Sequence, residues 1–408
     1  MRRHVHLFAA VCMLGGVARA QDSALLDRMR AMEDRIKALE AEVADLKGQK
    51  PAVEALVPTV PAVQPSTAPA NTAAAPAAAS KVFNPDIAVI GDFVGIGGHN
   101  PVQSSPALEM HESEVAFQAI LDPYARADFF ISFGEKGVDL EEGYLTFPAL
   151  PGHVQLRAGK MRAAFGKVNT LHNHVLPWVD RPLVMQNFTG GEEGINDAGL
   201  SLTRILPAPG GLFLEGTAQV FRGDSENVFH SWRANNLSTV GHLRGYRDIS
   251  ESTNVDVGFS YARGASTQVA GLFNNLYGID ATVRWKPLRR AIYHSFTGRA
   301  EWIWDRSGMN FQLQLPVAPR QTPFGYFVSG DYQFARRWFA GGRFDWSERA
   351  LNALNHDTGG SAILTYWPSE FSQVRGQYRR TRYAEGLTAN EILFQFLFSI
   401  GAHGAHPY

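Results

Sequence analysis

An all-β fold, an antiparallel transmembrane β-barrel of about 16 strands with an N-terminal α-helical coiled coil, is what this sequence predicts. Three observations predict it. Segments across the last four-fifths of the chain alternate apolar with polar residues, the period of a strand whose two faces meet different surroundings. The apolar face is crowded with Phe, Trp and Tyr rather than with the aliphatic residues of a soluble core, as at a lipid headgroup boundary. The opening residues read as a secretory signal followed by heptads.

Residues 1–20 supply the signal: Arg2 and Arg3, an apolar run from Val5 to Val17, then Ala18-Arg19-Ala20 before Gln21. Cys12, the single cysteine, lies within it behind Ala10 and Val11, a poor lipoprotein box, so the exported chain is expected to hold no disulfide or thiolate metal site. Residues 21–47 follow as an oligomerisation helix. Leu25, Met29, Met32, Ile36, Leu39, Val43 and Leu46 alternate four and three apart, and Arg28 with Glu33, Arg35 with Glu40, and Glu42 with Lys47 fall on successive g and e positions with opposite charge. The alternative is one amphipathic helix at the periplasmic rim. Three heptads are marginal alone, so self-association would rely on the barrels as well. Residues 48–81 are rich in Ala and Pro, including Pro51, Pro58, Pro61, Pro65, Pro69 and Pro76, and form a semi-stiff spacer.

Residues 82–408 are expected to form the barrel. Phe324, Tyr326, Val328, Tyr332 and Phe334 share one face while Ser329, Asp331 and Gln333 share the other. The same opposition recurs where Phe296, Ala300, Trp302 and Trp304 face away from Thr297, Arg299, Glu301 and Asp305, and where Phe394, Phe396 and Phe398 face away from Gln395 and Ser399. A sheet polar on one face and greasy on the other must close in a bilayer, because no backbone edge can stay unpaired in hydrocarbon. Candidate strands fall near 86–95, 111–121, 125–134, 138–148, 152–163, 197–206, 211–222, 237–247, 253–263, 275–286, 291–305, 323–334, 337–347, 359–367, 371–382 and 390–402. Asp122-Pro123, Ala335-Arg336 and Pro368-Ser369 suit periplasmic turns. The stretch from about 164 to 196 is too long for a hairpin; in a channel it would fold inward and narrow the pore.

The net charge of −1, from 38 Lys and Arg against 39 Asp and Glu, points to no nucleic-acid partner. Lumen-facing candidates are Arg126, Arg157, Arg284, Arg299, Arg343, Arg375 and Arg379, set against Glu114, Asp128, Glu215, Asp256, Asp280, Glu301, Asp331 and Asp345. Charged rings set ionic selectivity at close quarters. Near-balanced signs predict cross-strand ion pairs that stiffen the wall, and the anion path suggested by Arg375, Arg379, Arg380 and Arg382 weakens because only Arg375 and Arg379 share the inward parity. His172 and His174 form a His-x-His pair near Asp180, Glu192 and Glu193, donors suited to Zn²⁺, whereas their ordinary role would be as polar loop residues. Enzyme chemistry is not expected. His294-Ser295 and His230-Ser231 are adjacent, so on a strand each pair would split between opposite faces instead of sharing a proton.

The coiled coil, Ala/Pro spacer and barrel together resemble the phosphate-selective porin superfamily and its trimeric relatives. More closely, Gly159-Lys160-Met161-Arg162-Ala163-Ala164-Phe165-Gly166-Lys167, Leu176-Pro177-Trp178-Val179-Asp180-Arg181-Pro182-Leu183 and the ending Gly401 to Tyr408 are similar to proteins labelled zinc-regulated outer-membrane proteins. The resemblance covers most of 85–408 and implies a porin of the Gram-negative outer membrane, a homotrimer in lipid with its coiled coil in the periplasm, and a Zn²⁺ connection that would use His172, His174, Glu192 and Glu193. The phosphate group's Lys and Arg ladder does not map onto this chain. The expected function is passive diffusion of small polar or ionic solutes; the alternative is a non-conducting protein that ties the outer membrane to the cell wall through its coiled coil.

Overall fold

The computed structural model describes residue 37 and residues 85–401, apart from 136, 226–227, 269, 307–321 and 351. The signal, the coiled-coil heptads, the spacer and the ending after Gly401 therefore lie outside the described residues.

Within this part the chain forms sixteen strands: β1 Asp86–His99, β2 Leu108–Asp122, β3 Ala125–Gly134, β4 Gly137–Leu150, β5 Val154–Arg162, β6 Asn196–Leu206, β7 Phe213–Phe221, β8 Ser238–Ser250, β9 Thr253–Ala265, β10 Phe273–Trp285, β11 Ser295–Asp305, β12 Phe324–Ala335, β13 Trp338–Arg349, β14 Asn352–Ser369, β15 Ser372–Arg382 and β16 Thr388–Gly401. Each pairs antiparallel with its sequence neighbour, and β1 pairs with β16 to close the ring. All sixteen coincide with the segments expected from alternation. The largest difference is β14, which begins at Asn352 rather than near 359: Asp357, His356 and Asn352 pair with Ser347, Glu348 and Arg349 of β13.

Parity explains the wall. In β12 the outward residues Tyr326, Val328, Tyr332 and Phe334 alternate with inward Phe327, Ser329, Asp331 and Gln333. Aromatic rings meet across strands in two outward groups. Trp304, Phe324, Tyr326 and Trp346 cluster near the long-loop end, with Trp304 and Phe324 centroids 5.0 Å apart. Phe334, Trp338 and Tyr366 cluster near the short-turn end, with Trp338 and Tyr366 4.5 Å apart. Two aromatic girdles bounding an apolar band mark the two interfaces of a bilayer. No helix among the described residues is long and apolar enough to cross a membrane.

Residues 163–195, between β5 and β6, leave the long-loop end and turn into the barrel. They carry two 3-10 turns, Val168–Thr170 and Asn173–Val175, and one short helix, α1, Leu183–Phe188. The loop has an apolar core of its own. Phe165, Val168, Leu176, Trp178, Val184, Met185 and Phe188 are buried against Leu276, Ile303, Phe327 and Ile363 of the wall. Trp178 meets Phe327 edge-on at 5.1 Å and takes the Arg343 guanidinium over its ring at 5.0 Å. These inward apolar residues interrupt an otherwise polar face where the loop covers it. Gly166 permits the entry turn: its φ is +60°, and a Cβ there would press on the Glu301 carboxylate.

Candidate functional site: the inward loop and the lumen

The loop is held by wall side chains that would otherwise be buried without partners. Glu301 on β11 accepts the backbone N–H of Lys167 at 2.8 Å and of Val168 at 2.7 Å. Arg375 on β15 donates to the carbonyls of Leu176 and Trp178 at 2.8 and 3.2 Å. Asp180 accepts from Arg343 and Arg379, both at 2.9 Å, and from Gln377. Burial alone would push the Asp180 carboxyl up, but the guanidinium groups of Arg343 and Arg379 outweigh it and hold the group well below the usual carboxylate range. Asp345 accepts both from Arg343 and from the backbone of Leu183.

On the β2 and β4 side of the loop lies an acidic pocket around the two loop histidines. His172 Nδ1 faces Glu114 Oε2 at 2.8 Å and Glu141 Oε2 at 3.0 Å, and its Nε2 faces Glu142 Oε2 at 2.8 Å. His174 Nδ1 stands 3.6 Å from Glu112 Oε1. All six side chains are buried. For His172, burial disfavours the charged ring, but hydrogen bonds to Glu114, Glu141 and Glu142 raise it well above the ordinary histidine range; His174 is raised by Glu112 against the same opposition.

Two β-bulges build this pocket. At Phe130/Ile131 the β3–β4 register skips Glu141, so Glu141 and Glu142, adjacent in sequence, are both buried on the lumen side. At Asp92/Phe93 the β1–β2 register skips His111, next to Glu112. A bulge adds one residue to a strand and re-aims its neighbours.

The expected lumen residues divide in two. Arg343, Asp345, Glu301 and Arg375 face inward as expected, but the loop covers them, so they hold the loop rather than face open water. Nearer the short turns, lumen cations stay in contact with solvent. Arg126, paired to Asp128 at 2.6 Å, is 49% exposed. Lys167, Arg244 and Arg284 converge on the buried Asp256 at 3.4, 2.7 and 3.8 Å. Arg157 lies over Tyr144, Arg299 pairs with Asp331 across strands, and Arg379 pairs with Glu391. Burial, reinforced by Arg284, lowers the Lys167 ammonium despite Asp256, as expected where several cations share one carboxylate.

The expected metal set is brought together only in part. His172 and His174 adjoin each other, their ring centroids 5.7 Å apart, but Glu192 and Glu193 do not reach them. Both sit past α1 and give their backbone carbonyls to Arg162 at 3.1 and 2.8 Å, while Glu192 Oε1 lies 3.7 Å from His111. The carboxylates at the imidazoles come from β2 and β4. Glu112 shares the inward parity of Glu114 and was legible from it; Glu141 and Glu142 depend on the bulge.

A closed sixteen-strand antiparallel ring with two aromatic girdles, a polar lumen and an inward loop is the fold of Gram-negative outer-membrane barrels. Solved structures agree. The chain is similar to the outer-membrane channel DcaP of Acinetobacter baumannii (12% identity, TM-score 0.50, covering 78% of this chain and 96% of that one). It is similar to Salmonella typhi OmpF in complex with daunomycin (11%, 0.51, 79% and 99%) and to the trimer form of OmpT, an outer membrane protein of Vibrio cholerae (9%, 0.51, 78% and 99%). At these identities the likeness establishes the fold. A curated protein of Aquifex aeolicus (strain VF5), described as uncharacterized, is 28% identical over 390 residues, covering 81% of each chain. No protein-family model matches.

Proposed function

We propose that this chain is a porin-type channel of the outer membrane that passes small polar or ionic solutes passively, working as a homotrimer with its coiled coil in the periplasm and a link to zinc or another divalent metal. The observation that carries it is the state of the lumen beneath the loop: Arg126, Arg244 and Arg284 point inward yet remain 49%, 36% and 27% exposed, which requires water inside the wall. Three cations around Asp256 favour anions over cations in that vestibule. The barrel likeness to DcaP and OmpF supports a channel, and the likeness to OmpT in its trimer form supports the homotrimer.

Planar-bilayer recording tests it. Folded protein is expected to give discrete conductance steps and, in a KCl gradient, a reversal potential of chloride preference that moves toward cations in the Arg244→Ala, Arg284→Ala double variant. Folded trimers that never conduct would overturn the reading.

One observation favours a second reading, a non-conducting tether between outer membrane and cell wall. The loop bonds to wall residues on nearly opposite sides of the ring, Glu141 of β4 and Arg343 of β13, and so spans the lumen. Absence of conductance together with retention on isolated cell wall through residues 21–81 would select it.

A further inference from the structure

We propose that Glu112, Glu114, Glu141 and His172 form a binding site for one first-row divalent cation, and that this cation fastens the inward loop to β2 and β4. The inference deepens the metal link of the proposed function, yet stands on geometry that is independent of conduction.

One donor atom from each of the four residues lies within 4.8 Å of the others. Ligands about 2.0 to 2.2 Å from a shared ion are a little over 3 Å apart, and His172 Nδ1 meets Glu114 Oε2 at 2.8 Å and Glu141 Oε2 at 3.0 Å. A ring proton on Nδ1 points to one of these two oxygens; an ion between them serves both. The third carboxylate supplies a separate indication. Glu112 is 5% exposed, neither of its oxygens meets a hydrogen-bond donor, and His174 at 3.6 Å is beyond hydrogen-bond reach. The one ion-pair partner of Glu112 among the described residues, His174, stands too far off to satisfy it, so the carboxylate has room for a closer cation.

The surroundings are those of a built site. If Nδ1 binds the ion, the proton belongs on Nε2, where Glu142 Oε2 accepts it at 2.8 Å. Glu142 is itself fixed, since the backbone N–H of Arg162 donates to its Oε1 at 2.7 Å. A metal-bound imidazole oriented by a carboxylate that is in turn hydrogen-bonded is a recurrent arrangement, and it sets the tautomer. Arg162 Nη2 lies 3.2 Å from Glu141 Oε2 and offsets part of the remaining negative charge. One imidazole with three carboxylates and no sulfur suits Zn²⁺ or Mn²⁺; it is too few oxygens for Ca²⁺ and lacks the soft ligands of Cu⁺.

Because His172 comes from the loop and the three glutamates from β2 and β4, one ion ties the two together. The test uses the full-length chain, folded in detergent, stripped with EDTA, then equilibrated separately with Zn²⁺ and Mn²⁺ and dialysed. One tightly held ion per chain is expected, with X-ray absorption showing one nitrogen among oxygen ligands near 2.0 to 2.2 Å. Glu114→Gln and His172→Asn are expected to abolish retention, and Glu142→Gln to weaken it by about 10- to 100-fold. Heat-modifiable gel mobility verifies that each variant is folded. Wild-type protein that retains no ion, retention unchanged in Glu114→Gln, or an all-oxygen ligand shell would each overturn the site. Conduction is recorded on the same samples, so a silent but metal-loaded barrel removes the channel reading and leaves the site, and the converse result separates them the other way.

Discussion

Asp180 shows how one side chain can decide where the loop lies. It touches two guanidinium groups from different strands, and Arg343 is 1% and Arg379 11% exposed, so its neutralisation leaves two buried cations with one carboxylate each, Asp345 and Glu391. Asp180→Asn is expected to lower unfolding stability in lipid vesicles by about 1 to 3 kcal/mol, read from urea titration. The sign of the pH dependence follows from a folded-state pKa held below the unfolded one. The stabilisation is present in full above about pH 4, where the unfolded carboxyl is ionised, and is lost as pH falls toward the folded value. The wild-type advantage over Asp180→Asn should stay level from pH 8 to about 5 and shrink below about 4; an advantage that grows on acidification would contradict the assignment. The inward parity of Arg343, Arg375 and Arg379 was legible in the sequence because each strand alternates. That Asp180 would meet two of them was not, since the contact spans residues 163 and 199 positions apart.

Among elements, the strands were legible and the bulges were not. Alternation places every strand and its faces, and Asp122-Pro123, Ala335-Arg336 and Pro368-Ser369 mark turns that the structure retains within a residue or two. It cannot place Glu141 and Glu142 together, because strict alternation sends neighbouring residues to opposite faces. Only the extra residue in β4 turns both inward, and nothing in the local composition announces it. The loop itself was legible as a 33-residue interruption, and a further signal was present in Phe327, Ile303 and Leu276, large apolar residues on a polar face that demand an apolar cover. Glu192 and Glu193 were nearer His172 in sequence than any wall carboxylate, which is why proximity along the chain selected them. The loop's entry turn is open to a direct check. Gly166→Ala places a Cβ at φ +60° and against Glu301, and should cost about 1 to 2 kcal/mol from the left-handed backbone alone, with more as Glu301 releases the amides of Lys167 and Val168. Larger and noisier single-channel steps should accompany that loss; an unchanged variant would show that the loop does not depend on this turn.

For the whole molecule, the wall satisfies its backbone by closing on itself, while the described strands leave no sheet edge for another chain to extend. In the proposed trimer, assembly would have to use side chains of the outer wall, the N-terminal heptads, or both. Removal of residues 21–47 is expected to leave the barrel folded, with unchanged heat-modifiable mobility, but to lower the temperature at which oligomers dissociate in SDS. Identical dissociation temperatures would assign assembly to the barrel alone.

The inward loop has a consequence for how such a ring is put together. Joining β1 to β16 brings together residues as far apart as Asp92 and Gln395, which bond at 2.9 Å across 303 positions, and contacts of such sequence separation carry the greatest closure entropy. The loop grips β2 through His172 and β15 through Leu176 and Trp178, the strands flanking that seam on either side. It therefore divides one long search into two shorter ones, of 58 and about 200 positions. A segment that restricts the finished barrel would then also be an internal template for its assembly: placed in the lumen while the ring is still open, its grip on both flanks would present the last two strands to each other in register.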